Sequence, residues 1–289
     1  MNKREKQALA ADGALLSCAV MWGGGFVAAK IALESVTPYY VLALRVLGAG
    51  LLLAVIFWQK LKNVKKDALL AGFFLSTFLL VGQALQTIGL QYTQPGKQAF
   101  LVASYSLLIP FVSWLVFRKR PQWPSFLAGV VMLSGIGCLS LNGSAGIQLG
   151  DGLSLLSAVV FAFNMVLISY YVRRFDPLQL SILQLIFAGV ISLVLALVIE
   201  PPMHAVTARS AWAVAYLLVI NTAVAFSVQN VAQKYTSATH SSILLSMESL
   251  FGMIFSILLL NEVFTPRMLF GVVLIFAAVL ISKLEKAAS

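Results

Sequence analysis

One carboxylic acid stands in the middle of a long apolar run: Glu248, within HSSILLSMESLFGMIFSILLLNE from His240 to Glu262. About 20 helical residues at ~1.5 Å each cross a ~30 Å hydrocarbon core, so this stretch has the length of a transmembrane helix. A carboxylate at that depth is costly and normally faces protein or a water-filled cavity. Burial disfavours the charged form of a carboxyl group, which makes Glu248 a candidate to bind and release a proton. The alternative is a structural carboxylate tied to helix backbone or to Arg45, the one basic residue inside a span. A long arginine side chain at Arg45 could reach toward Glu248 or extend outward to the interface.

Neutral polar groups accompany this acid. Gln83, Gln86, Asn164, Gln184, Asn221, Gln229 and Asn230 all fall in apolar spans. Amides at such depth serve either interhelical hydrogen bonds or a cavity. Gln83, Gln86, Asn164, Asn221 and Gln229 are the candidate cavity residues, able to orient a polar or zwitterionic metabolite. Trp22 and Tyr105 could supply an aromatic wall. His240 and Glu262 stand at opposite ends of the Glu248 run and read as helix-end or loop partners. Motifs of hydrolases and of ATP binding are missing: two isolated histidines cannot make H-E-x-x-H, and there is no G-x-S-x-G or G-x-x-x-x-G-K-[ST]. No enzyme, cofactor or metal site is expected.

The elements that position these groups follow from composition. The chain is 60% hydrophobic and 10% charged, against ~25% charged in a soluble domain. Its apolar runs are long and continuous, which argues for helices over barrel strands. Ten spans are expected, at about 12–31, 39–58, 68–90, 98–117, 123–141, 152–172, 178–199, 211–232, 240–260 and 268–282. Helix-stopping dipeptides such as Thr37-Pro38, Asp176-Pro177 and Thr265-Pro266 separate them. Asn142-Gly143 reads as a simple turn. Cys18 and Cys138 lie toward opposite faces, so no disulfide is expected.

The net charge of +10 sits in short clusters between spans. That distribution carries orientation and offers no groove for nucleic acid. With both termini in the cytoplasm, fifteen of the 20 Lys and Arg residues fall on the cytoplasmic side and four in outer loops. Trp58, Trp114, Trp123 and Trp212 near span ends read as interfacial belt residues.

The two halves resemble each other. Asp12-Gly13 and Asp151-Gly152 head the first and sixth spans, 139 positions apart, and Pro38 and Pro177 open the second and seventh at the same offset. At an offset of 143, Gln86 matches Gln229, Tyr92-Thr93 matches Tyr235-Thr236, and Ser106-Leu107 matches Ser249-Leu250. Tyr105 is the mate of Glu248. Five spans per half is an odd number, so the second half must enter the membrane inverted. The expected fold is an all-α integral membrane protein of ten helices in two inverted five-helix repeats, residues 1–145 and 146–289. Inverted repeats are the architecture of secondary transporters, with the site at the midplane between them.

The sequence also resembles the EamA-type members of the drug/metabolite transporter superfamily. Trp22-Gly23-Gly24-Gly25-Phe26 is similar to their first helix, Leu44-Arg45 to their second, and Lys97-Gln98-Ala99-Phe100 with Ile109-Pro110 to their fourth. Ser246-Met247-Glu248-Ser249 and Asn261-Glu262 resemble their ninth, followed by a tenth helix with Gly271. The chain departs from the family at Arg118-Lys119-Arg120, where a Glu often matches Glu262. The resemblance implies a carrier of small metabolites such as amino acids, often an exporter, in a bacterial inner membrane. Its expected partners are the small-molecule substrate, the lipid bilayer and, through Glu248, protons; the chain is expected as a monomer or homodimer. A lipid-embedded channel, and a non-transport intramembrane enzyme or scaffold, are the other readings that the composition allows.

Overall fold

The computed structural model describes residues 3–118, 120–121, 123–140, 148–203, 205–236 and 238–282. Those residues form helices and no strand. The helices are α1 (Lys3–Ala32), α2 (Pro38–Ile56), α3 (Lys66–Gly89), α4 (Pro95–Phe117), α5 (Trp123–Ser140), α6 (Leu149–Tyr171), α7 (Pro177–Ile199) and α8 (Ala208–Gln233). α9 comes in two pieces, Ala238–Leu245 and Glu248–Leu260, and α10 is Pro266–Ser282. Among the described residues seven helices are long and apolar enough to cross a membrane; α5, α10 and the second piece of α9 are shorter apolar helices. The Asn142-Gly143 turn, and Lys119, Lys283 and Lys286 of the basic clusters, lie outside the described residues.

Local chemistry explains the helix boundaries. Proline opens α2, α4 and α7, where its missing N–H is no loss and its fixed φ suits the first turn. Asp176 caps α7 by accepting from the N–H groups of Leu178 and Gln179 at 3.0 and 3.2 Å. Glu200, at the end of α7, does the same for α2 from across the fold, accepting from the N–H groups of Tyr39 and Tyr40 and from the Thr37 hydroxyl. On the outward side of α7, Val190, Val194, Leu197 and Val198 are exposed, a stripe at helical spacing suited to acyl chains. Trp58, Trp114, Trp123 and Trp212 are exposed near helix ends. Both cysteines are free.

The ninth span is not the continuous helix expected over 240–260. It tightens between Leu245 and Glu248, so Glu248 is the first residue of a new helical segment. α4 tightens in the same way at Ser104, just before Tyr105. Ser104 and Met247 share φ −60° and ψ −15°. The hydrogen bonds match as well: Ser104 N to Leu101 O and Met247 N to Leu244 O are both 3.3 Å, and Leu107 N to Ser104 O and Leu250 N to Met247 O are both 3.1 Å. Each is a single turn of i to i−3 spacing inside an α-helix. Both segments end in left-handed residues, Arg118 at φ 59° and Asn261 at φ 54°. All these pairs are 143 positions apart.

Packing runs between the halves. α1 lies against α8 and α9, and α6 lies against α3 and α4; α2 crosses α7, and α5 pairs with α10. The α2–α7 crossing needs glycine twice. A Cβ on Gly50 would meet Ile186 N at 2.9 Å, and one on Gly189 would run into the backbone of Leu47. Leu47 and Ile186, like Gly50 and Gly189, are 139 positions apart. Small residues let helix backbones approach this closely inside a membrane.

Candidate functional site

The helices enclose a central cavity, about 700 Å³ of space between atoms with its open mouth included. α1 contributes Trp22, Gly25, Phe26 and Ala29, and α3 contributes Gln83, Gln86, Thr87 and Leu90. α4 adds Gln98, Val102 and Tyr105; α6 adds Phe161, Asn164 and Met165; α8 adds Asn221, Phe226 and Gln229. Arg45 from α2 and Glu248 from α9 complete the wall. Trp22, Gln83, Gln86, Tyr105, Asn164, Asn221, Gln229 and Glu248, together with Arg45, thus border one space.

Arg45 does not pair with Glu248. Its Nη2 donates to Asn221 Oδ1 at 2.6 Å and its Nε donates to Thr222 Oγ1 at 3.2 Å. This geometry rests on two wide turns. Arg45 sits in a π-helical turn of α2, Ala43–Leu47, and its partners sit in another in α8, Leu217–Val224. A π turn inserts a residue into the helical register and re-aims the side chains around it. Asn221 is fixed in turn: its Nδ2 donates to Met21 O at 2.9 Å, and its own carbonyl accepts from Trp22 Nε1 at 3.0 Å. Tyr216 also donates to Met21 O, at 2.9 Å. The guanidinium is therefore held by neutral groups, and among the described residues no acid pairs with it.

Glu248 is buried, and among the described residues its carboxylate takes part in no ion pair or side-chain hydrogen bond. It opens a helical segment whose first N–H groups are already used: Ser249 N–H donates to Ser246 O and Leu250 N–H to Met247 O, both at 3.1 Å. Neighbouring polar groups are only partly used. Asn164 donates to Leu75 O at 3.2 Å, and Gln229 Nε2 reaches Met165 Sδ at 3.4 Å. The Tyr105 hydroxyl, Gln83 Oε1 and Gln229 Oε1 have no partner among the described residues. Such groups are normally satisfied by protein or water. Trp22 packs on Phe226 at 5.3 Å between ring centroids, forming an aromatic face.

Two members of the amide set stand elsewhere. Asn230 donates to Ser181 Oγ at 2.7 Å between α8 and α7, and Gln184 is fully buried in α7 away from the cavity. Glu262 accepts from Gly96 N at 3.0 Å and so caps α4. Burial pushes its carboxyl above the usual range, against the N–H groups of Gly96 and Lys97 and the charges of Lys30 and Lys97. Lys97, expected in an outer loop, lies in the first turn of α4 and forms a 2.6 Å ion pair with Asp151. Sequence reasoning missed this pair and missed Gln98. Helical spacing carried the signal: Gln98, Val102 and Tyr105 recur at four and three residues, as do Trp22, Phe26 and Ala29.

Many apolar helices around a polar, charge-bearing central cavity define a multi-pass membrane protein. Comparison with known proteins gives the family: the chain matches the EamA-like transporter family twice, over residues 9–141 and 148–284, and belongs to it. It is 31% identical over 281 residues to an uncharacterized transporter of Archaeoglobus fulgidus, covering 96% of this chain and 87% of that protein. It is 25% identical to a chloroplastic WAT1-related protein of Arabidopsis thaliana, over 92% of this chain and 67% of that one. The uncharacterized inner membrane transporter YedA of Escherichia coli is 28% identical over 78% of this chain and 74% of its own length. A crystal structure shares the fold, with a TM-score of 0.74 at 14% identity over 95% of this chain and 96% of that one.

Proposed function

We propose that this protein is a secondary transporter that moves small zwitterionic metabolites, amino acids or close relatives, by alternating access. One observation carries the reading: a guanidinium and a carboxylate line the same cavity, and neither is neutralised by the other or by another charge among the described residues. Buried charges without counter-charges are expensive. A ligand with a carboxylate for Arg45 and an ammonium for Glu248 compensates both at once. Trp22 and Phe226 offer its side chain an apolar face, and Gln83, Gln229 and Asn164 supply neutral hydrogen-bonding groups.

The ten helices act as two inverted five-helix repeats, residues 1–145 and 146–289. Support comes from the tightened turns before Tyr105 and Glu248, from the twin glycine contacts of the α2–α7 crossing, and from the double family match. Inverted halves rocking about a midplane site are the usual means of alternating access. The protein sits in a bacterial inner membrane with both termini cytoplasmic, as the basic clusters favour, and works as an exporter, as the family resemblance suggests. Glu248 is the candidate proton site. No chemical conversion is assigned to the cavity.

Counterflow in proteoliposomes preloaded from a metabolite library tests this. A carrier gives saturable, trans-stimulated uptake; linear, non-saturating flux points to a channel, and product formation without solute movement points to an enzyme. Glu248→Gln should abolish the response of transport to a pH gradient. Undiminished gradient-driven transport in that variant removes Glu248 from coupling.

A further inference from the structure

Two contacts between an acidic and a basic side chain join the halves at opposite ends of the cavity, and they are mates. Asp12 on α1 pairs with His240 on α9 at 2.9 Å, and Asp151 on α6 pairs with Lys97 on α4 at 2.6 Å. Asp12 and Asp151 are 139 positions apart, and Lys97 and His240 are 143 apart, the two offsets that relate the halves. One helix shows that the pairs lie at opposite ends. Lys30 of α1 donates to Leu90 O and Thr93 O, and Thr93 donates to Asp151. Asp12 lies eighteen residues earlier on that same helix, ~27 Å away at ~1.5 Å per residue.

The mates differ in strength. Lys97 and Asp151 are 6% and 0% exposed, and the Thr93 hydroxyl holds the second carboxylate oxygen at 2.9 Å. His240 and Asp12 are 50% and 33% exposed. The other ion pair at the Asp12 end, Lys60–Asp176, is also exposed, at 46% and 36%. At the Asp151 end the Arg209–Glu34 pair is exposed and long, at 3.5 Å, but Glu262 on Gly96 N, and Glu200 on the Thr37 hydroxyl and the N–H groups of Tyr39 and Tyr40, add buried or half-buried ties between the halves. Parting an exposed pair returns both charges to water at little cost, whereas parting a buried pair strands charge in the interior.

Resting on the alternating-access reading above, we propose that Asp12–His240 and Lys97–Asp151 are the two latches of the transport cycle, and that their unequal strength makes the empty carrier open toward the Asp12 face. Each latch parts when the cavity opens to its own face and holds when the cavity opens to the other. The empty protein then collects solute from the Asp12 side, and only a bound ligand supplies what is needed to part Lys97–Asp151.

A cavity cysteine reports this without a known substrate. Val102→Cys, in a background of Cys18→Ala and Cys138→Ala, is labelled with a membrane-impermeant maleimide in intact cells and in inside-out vesicles. The expected result is faster labelling from the Asp12 face. Asp12→Asn raises that ratio by about 2- to 5-fold. Opening the other latch with Asp151→Asn, which leaves Lys97 without its acid, lowers the ratio by about 10-fold or more. Faster labelling from the Asp151 face in the parent, or no opposite shift between the two latch variants, overturns the proposal while leaving a carrier intact. Labelling from both faces that rises together in either variant overturns the latches and alternating access at once.

Discussion

At the Asp151 end of the cavity a lysine meets its acid in the interior, and at the Asp12 end a histidine meets its acid at the surface. The tightened turns of α4 and α9 and the α2–α7 crossing are closely alike; the chemistry of the two pairs is not. Repetition fixes where helices tighten and cross, because those positions depend on main-chain geometry and on small residues. It leaves the side chains at each end free to differ, and in the proposed transport cycle unlike ends give a preferred resting side. A difference of ~1.4 kcal/mol between the two latches already gives tenfold more of one state.

The largest test of that contrast is Asp151→Asn, which leaves Lys97 buried without its acid. It should cost about 3–5 kcal/mol of stability, read from thermal unfolding in detergent; a cost as small as that of an exposed pair would erase the contrast. The shared geometry is probed by Gly50→Val and Gly189→Val. Each forces a side chain into the opposing backbone and should cost at least about 1–3 kcal/mol. The account expects similar losses from both, and a loss confined to one would break the likeness of the two halves.

Asp176→Asn, at the Asp12 end, keeps a side chain that caps as well as aspartate and should cost at most about 1 kcal/mol near neutral pH, through the charge lost beside exposed Lys60. Burial alone pushes the Asp176 carboxyl up, but the Lys60 ammonium and the N–H groups of Gln179 and Leu178 outweigh it and hold the group below the usual aspartate range. A depressed value means that the contribution is complete above the unfolded aspartate value of ~3.9 and fades as pH falls through the folded value. The difference between parent and variant should therefore shrink only in acid, and a gap that persisted unchanged below pH ~3 would contradict the assignment. Smallest is Asp12→Asn, at or below about 1 kcal/mol, an effect on labelling sidedness far more than on melting.

Much of the architecture was legible because lipid imposes it. Long apolar runs have to become helices, and proline and Asp-Pro have to open them. Glu248, Arg45, Trp22, Tyr105 and the central amides stood out because polar groups are rare where acyl chains surround the protein. Departures arose where partners are distant in sequence. Arg45 finds Asn221 and Thr222 through two π turns that no local pattern announces, so its distance to Glu248 could not be judged by counting along ideal helices. The tightening before Glu248 lacks proline or glycine; Ser246 and Met247 are ordinary helix residues. Lys97 looked like a loop cation because only the packing of α4 on α6 brings Asp151 to it.

The most direct measurement compares charge variants of one ligand. For an amino acid that gives counterflow, the derivatives to measure are its carboxamide and its N-acetyl form, each lacking one charge. If Arg45 and Glu248 hold the two ends of a zwitterion, each derivative should lose about 10- to 100-fold in half-saturation, as expected when a buried charge loses its hydrogen-bonded partner. Transport of a derivative lacking both charges at the parent's half-saturation would contradict the account.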